Sequence, residues 1–264
     1  MKRGSKLLAL WALGVYLLLY LPIVVMAVNS FNASVVPNRW GGFTFQWYLD
    51  LWKDEEILQA FVTSLGVSAV STVFATILGT SAALGMRPRR AIDGAARKLN
   101  AADWLESVLM FPVILPDIVL GISLLLLFVL MRIHLGALTI VLAHVTFSMV
   151  YVFLVVRVRL RGLDPALEEA ARDLGAGPLR TFFLVTLPLI LPGVVAGALL
   201  GFTLSFEDFL ITFFTAGVGV TTLPLQIYSM MKFGVSPVIS ALSTGFLVLT
   251  VAVTMATQRW QPNR

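Results

Sequence analysis

Cysteine does not occur in these 264 residues. Its absence excludes a disulfide framework and any thiolate metal site. Charge is also scarce, at 12% of residues, about half the roughly 25% usual in soluble domains. With 58% of residues hydrophobic, a soluble globular chain is excluded. No Gly-x-x-x-x-Gly-Lys-[Ser/Thr] phosphate loop is present, and the nearest string, DGAARK at 93–98, lacks its spacing. Of the two histidines, His134 falls in a short connection and His144 within an apolar run. No nucleophile–base pair can be assembled from them, and His144 reads as a helix–helix hydrogen-bond partner.

What is abundant is apolar sequence long enough to cross a bilayer, which takes about 20 residues per helix. Six runs qualify: Leu7–Val28, Ile57–Met86, Ser107–Met131 (interrupted only by Asp117), Leu135–Val156, Thr181–Phe206 and Phe233–Gln258. The first is longer than the roughly 7–15-residue core of a secretory signal, so it reads as a retained span. The net charge of +5 does not gather on one polar face, and no nucleic-acid partner is expected. Instead the basic residues divide between alternate connections, fifteen on the side of both termini and four on the other. By the excess of Lys and Arg on the inner face, both termini are cytoplasmic. Trp40, Trp47, Trp52, Trp104 and Trp260 stand at or beyond span margins, as interfacial anchors do.

No low-complexity or Pro/Ser-rich linker divides the chain, so 1–264 is expected to be one transmembrane domain. Its outer connections are 29–56 and 212–236. Within the first, FTFQWYLDLWKDEEIL suggests a short surface helix, and Asp50, Asp54, Glu55 and Glu56 form either a solvated face or a contact for a soluble partner. Pro112 and Pro116 in FPVILPDIVLG free backbone groups beside the acid Asp117.

A polar island stands between the fourth and fifth runs, LEEAARDLGAGPLRTFFLVTLPLILPG at 167–193. Asp164-Pro165 is a helix-start signal, and Glu168 and Glu169 suit the positive end of the helix dipole. Gly175 suits a left-handed terminating residue, and Pro178 can open the next helix. These signals predict a helix over 165–174, a turn, and a second helix entering the fifth span. Glu169-Ala170-Ala171, three residues, Gly175, nine residues, Val185, one residue and Leu187-Pro188 follow in fixed order.

That order resembles the EAA signature of the membrane-spanning subunits of ABC importers, with Val185 where isoleucine is usual. The resemblance implies a cytoplasmic coupling loop over 158–187, docked on a separate ATP-hydrolysing subunit. Glu168, Glu169, Ala170, Ala171, Asp173, Leu174, Gly175, Leu187 and Pro188 would take part in coupling. The small side chains at 170, 171 and 175 would allow close approach of the two backbones. This chain would bind no cofactor; ATP and Mg would be used by the partner ATPase.

Acids within spans are costly and therefore candidates for function. Asp117, Glu207 and Asp208 have no Lys or Arg within a span to neutralise them. Either they are protonated, or they meet water at helix ends, or they face a cavity visited by cations. Carboxylates with aromatic neighbours, as Glu207-Asp208 has in Phe206 and Phe209, suit a flexible ammonium chain. Asp117, Phe206, Glu207, Asp208 and Tyr228 are the candidate substrate path or gate.

The segments VNSFNAS, GGFT with QWY, LPDIVLGISLLLLF, AHVTFS, TLPLQIYSMMKFGVSP and ALST are similar to the spermidine/putrescine importer permeases, in particular the second of their two permease subunits. The similarity runs from about residue 20 to 257. It implies an all-α, six-helix type I ABC-importer fold in the bacterial cytoplasmic (inner) membrane, among lipid. The implied partners are a related permease, two copies of an ATP-binding subunit and a periplasmic polyamine-binding protein. Val238 and Ser240 depart from the acid and asparagine usual there, and Glu207 stands in place of an aspartate. An ABC permease for another small solute is the alternative. A nucleotide-independent secondary transporter would show internal repeats, which are not evident, and would leave the EAA order unexplained.

Overall fold

The structure is a computed structural model that describes residues 2–36, 39–87, 101–232, 234 and 236–259. The basic stretch Arg89, Arg90, Arg97 and Lys98, the DGAARK string, Phe233 and Trp260 lie outside the described residues. Every named element is helical. Four helices have the length and composition to span a bilayer: Leu8–Asn29, Glu55–Gly85, Ala137–Arg161 and Pro178–Glu207. Asp117–Leu130 and Pro237–Ala252 are shorter apolar helices. The described residues form two compact units, 1–59 with 226–264 and 60–225.

In the first unit, α1 (Lys2–Asn29) and α13 (Pro237–Arg259) pack together, and α13 also meets the short α2 (Gln46–Leu51). The loop between α1 and α2 is tied by Asn32. Its amide donates to Arg39 O at 2.8 Å, its side-chain oxygen accepts from Gly41 N at 2.8 Å, and Trp47 Nε1 donates to its carbonyl at 2.7 Å. Phe31 and Phe43 stack at 5.2 Å between centroids, and Ser30 Oγ pairs with Tyr48 OH at 2.7 Å. Part of the acidic cluster has a local explanation. Asp54 Oδ1 accepts the Ile57 amide at 3.1 Å, and Glu55 and Glu56 occupy the first turn of α3 (Glu55–Gly85), where the dipole favours negative charge.

In the second unit α7 (Ala137–Arg161) is the central post: Ile140, Ala143, Val150, Val152, Phe153 and Val156 are fully buried. α10 (Leu187–Glu207) lies against it along a glycine face. A Cβ at Gly197 would stand 3.2 Å from Val152 Cα, and one at Gly79 on α3 would stand 2.5 Å from Met149 O. Small residues let backbones approach where lipid supplies no hydrophobic drive.

The expected continuous third span does not form. The sequence breaks into α4 (Ala101–Leu109), α5 (Phe111–Ile114) and α6 (Asp117–Leu130). Leu115 is extended (φ −74°, ψ 140°) because the ring of Pro116 disfavours the helical region for the residue before it. Asp117 therefore opens a helix instead of sitting inside one. α11 (Leu210–Thr215) and α12 (Leu223–Lys232) follow, the latter within the expected outer connection 212–236.

Candidate functional site: a polar helix and an acidic, aromatic cleft

The polar island forms α8 (Ala166–Asp173), close to the expected 165–174. Asp164 Oδ1 accepts the Ala166 amide at 3.0 Å and caps it. At the other end the Ala176 amide reaches back to Ala171 O at 3.0 Å, and Gly175 adopts φ +85°, a conformation nearly free of cost only for glycine. Gly177 then leads into α9 (Pro178–Thr181), a π turn over Phe182–Thr186, and α10. In that turn the Leu187 amide bonds to Phe182 O, five residues back. Pro188 follows and has no N–H for the carbonyl of Leu184, so the ordinary four-residue ladder cannot close at this point. The Leu-Pro that ends the EAA order thus coincides with a backbone irregularity at the entrance of α10.

The two adjacent glutamates separate. Glu169 faces outward, as do Ala170, Asp173, Leu174 and Gly175; Leu174 is 89% exposed. Glu168 turns inward. Its Oε1 accepts from Arg87 Nη1 at 2.6 Å and from Thr186 Oγ1 at 2.6 Å. Burial by itself would raise the Glu168 pKa, but the Thr186 hydroxyl and the Arg87 guanidinium outweigh it and hold the carboxyl below the usual glutamate range. A second ion pair, Arg157 with Glu106, joins α7 to α4.

The acids Asp117, Glu207 and Asp208 come together on one cleft of about 250 Å³, walled by Phe147, Tyr151, Phe209 and Ile211. Asp117 and Glu207 are exposed, and neither carboxylate has a hydrogen-bond or ion-pair partner among the described residues. Asp208 is held differently. Where α10 ends, its Oδ2 accepts the Thr212 amide at 2.8 Å and the Thr212 hydroxyl at 2.9 Å, while Oδ1 meets the Ile211 amide at 3.3 Å. It therefore caps α11. His144 Nε2 lies 3.2 Å from Asp208 Oδ2 and 3.0 Å from Thr212 Oγ1. His144 Nδ1 meets Ser205 Oγ at 2.7 Å, and Ser205 in turn meets Ser71 at 3.0 Å and Ser68 at 3.3 Å. One buried network thus links α3, α7, α10 and α11.

Phe206 is not among the cleft residues; it stacks on Phe202 at 6.0 Å and meets Phe61 edge-on at 6.1 Å. Tyr228 belongs to the other unit, where Lys232 Nζ sits 4.9 Å above its ring. Sequence reasoning missed Phe147 and Tyr151 in the cleft, the hydroxyls of the network, and Arg87 and Thr186 beside Glu168. Only Thr186 had a local signal, lying between Val185 and Leu187 of the EAA order.

Residues 75–263 match the family of binding-protein-dependent transport system inner membrane components. The chain belongs to that family. It is an inner membrane component of a transport system, and the related permease proteins are transport subunits, not enzymes. It is 41% identical over 232 residues to the putrescine transport system permease protein PotI of Escherichia coli K12, covering 86% of this chain and 80% of that protein. With the spermidine/putrescine transport system permease protein PotC of the same strain it shares 39% over 244 residues, 92% of this chain and 89% of the relative. Among solved structures, a bacterial ABC transporter involved in the import of the acidic polysaccharide alginate superposes with a TM-score of 0.73 at 16% identity, over 99% of both chains. The MetNI methionine ABC transporter superposes with a TM-score of 0.59 at 19% identity, over 78% of this chain and 96% of that one. The fold of this family member is thus that of ABC-importer permeases.

Proposed function

We propose that the chain is a membrane-spanning subunit of an ATP-driven importer that carries polyamines, putrescine and spermidine, inward. The observation that carries this reading is the cleft in which Asp117, Glu207 and Asp208 meet Phe147, Tyr151 and Phe209, in a chain 39–41% identical to putrescine and spermidine permeases. A polyamine offers several ammonium groups on a flexible apolar stem. The Asp117 and Glu207 carboxylates, without a partner among the described residues, complement the charges, and ring faces accept both stem and cation. Asp117 and Glu207 would contact the passing cation, and Asp208 would hold the break between α10 and α11 that opens the cleft wall.

In this reading 1–264 is one permease domain that crosses the membrane six times, with both termini cytoplasmic. The broken segment 101–130 makes the third crossing and α13 the sixth. α8 is the coupling helix, presenting Glu169, Asp173 and Leu174 to a separate ATPase that uses ATP and Mg. A related permease, two ATPase copies and an extracytoplasmic polyamine-binding protein complete the assembly. The test is uptake of labelled putrescine by the assembled complex carrying Glu207→Gln or Asp117→Asn. Uptake should fall at least severalfold while ATPase stimulation by solute-loaded binding protein persists. Unchanged uptake in both variants would reduce these acids to solvated helix ends and remove the cation path.

A further inference from the structure

The geometry around Glu168 points to a role distinct from docking. One carboxylate oxygen, Oε1, accepts from two side chains at the margins of different spans. Arg87 lies two residues beyond the end of α3, and Thr186 closes the π turn before α10. Thr186 is 4% exposed, and the Glu168 side chain 18%. These are the inward contacts of a helix whose other side is exposed. Hydrogen bonds to a charged group are each stronger than neutral ones, so α8 is held to both spans at a single atom.

The π turn gives that tether a mechanical consequence. Its five-residue hydrogen bond and the missing Pro188 amide make Phe182–Thr186 an irregular stretch within the helical segment Pro178–Glu207 that enters the membrane. Irregular turns of this kind are where helices bend and slip. Without a side-chain link, displacement of α8 would be absorbed there. We propose that Glu168 is a positioning residue that, through Arg87 and Thr186, transmits movement of α8 to α3 and α10 across this compliant turn. Glu169, one position along, is exposed on the outer side of α8. The inference rests on reading α8 as the coupling helix.

The test uses the assembled complex in proteoliposomes, with solute transported per ATP hydrolysed as the readout. Glu168→Ala should co-purify with its partners and keep basal ATPase activity, yet transport per ATP should fall about fivefold or more, the lower end of ordinary site-to-site coupling. Exchanging the charges, Arg87→Glu with Glu168→Arg, should restore most of that ratio, which a loss of folding alone would not do. Thr186→Val, which removes one hydroxyl and keeps the side-chain shape, should lower the ratio about twofold. If Glu168→Ala does not assemble, the Thr186→Val ratio decides: a wild-type ratio there overturns the tether, as does a wild-type ratio in Glu168→Ala. A native complex that moves solute without nucleotide would instead sink the coupling reading itself.

Discussion

The adjacent acids Glu207 and Asp208 should respond oppositely to neutralisation, because the structure puts them to different uses. Asp208→Ala removes the cap of α11, which accepts the Thr212 and Ile211 amides, and strips a partner from both Thr212 Oγ1 and His144 Nε2. Loss of a helix cap costs about 1 kcal/mol. Each interhelical side-chain hydrogen bond within a membrane protein adds about 0.6 kcal/mol, up to about 1.7. The total is roughly 2–3 kcal/mol, which at about 2–4 °C per kcal/mol for a chain of this size lowers the melting temperature of the purified complex by roughly 4–12 °C. Glu207→Gln breaks no hydrogen bond or ion pair among the described residues and should leave the melting temperature within about 1–2 °C, the shift expected for a surface change of up to about 0.5 kcal/mol, while reducing putrescine uptake. The assay is thermal unfolding in detergent, followed for the co-purified complex, beside uptake in vesicles. Equal thermal shifts for the two variants would refute the division of roles. So would an Asp208→Ala complex as stable as the native one.

Three further outcomes follow from the geometry. Gly79→Leu drives a side chain into Met149 O, 2.5 Å from the position of its Cβ; such overpacking costs about 1–3 kcal/mol and should reduce the yield of folded chain in membranes. Gly175→Val forces a branched residue to φ +85°, at about 1–2 kcal/mol; membrane insertion should persist while stimulation of the ATPase by loaded binding protein is lost. The depressed Glu168 pKa means that its contribution to stability is fully present above the ordinary glutamate value and lost as pH falls through the lower folded value. Transport per ATP should therefore not vary between pH 8 and pH 6 on account of this residue, and a titration of that ratio centred near neutrality would contradict its ion pair with Arg87.

Local rules read much of this molecule from its sequence. Apolar run length located α1, α3, α7 and α10, since a bilayer fixes how long a spanning helix must be. Asp164, Gly175 and Pro178 bounded α8 because caps and turns are set by a residue and its near neighbours. The Leu115-Pro116 break was also local, but the apolar composition of 107–131, interrupted only by Asp117, concealed it. What was not legible depends on distance. Ser205 meets Ser71 across 134 residues and His144 across 61, and hydroxyls of this kind are common in any membrane helix. As a charge pair Glu168 and Glu169 look alike; the positions of Thr186 and Arg87, 18 and 81 residues away, tell which turns inward. Asp117, Glu207 and Asp208 were recognised as costly acids, but their common cleft arises from the packing of α6, α7 and α10.

The most direct test of the central claim is uptake of labelled spermidine and putrescine into proteoliposomes holding this chain with its co-purifying subunits, with and without ATP. Accumulation of polyamine that requires ATP and the loaded binding protein is the predicted result. ATP-driven flux of a different solute alone would contradict the polyamine cargo, and polyamine flux without nucleotide would contradict the ATP-driven mechanism.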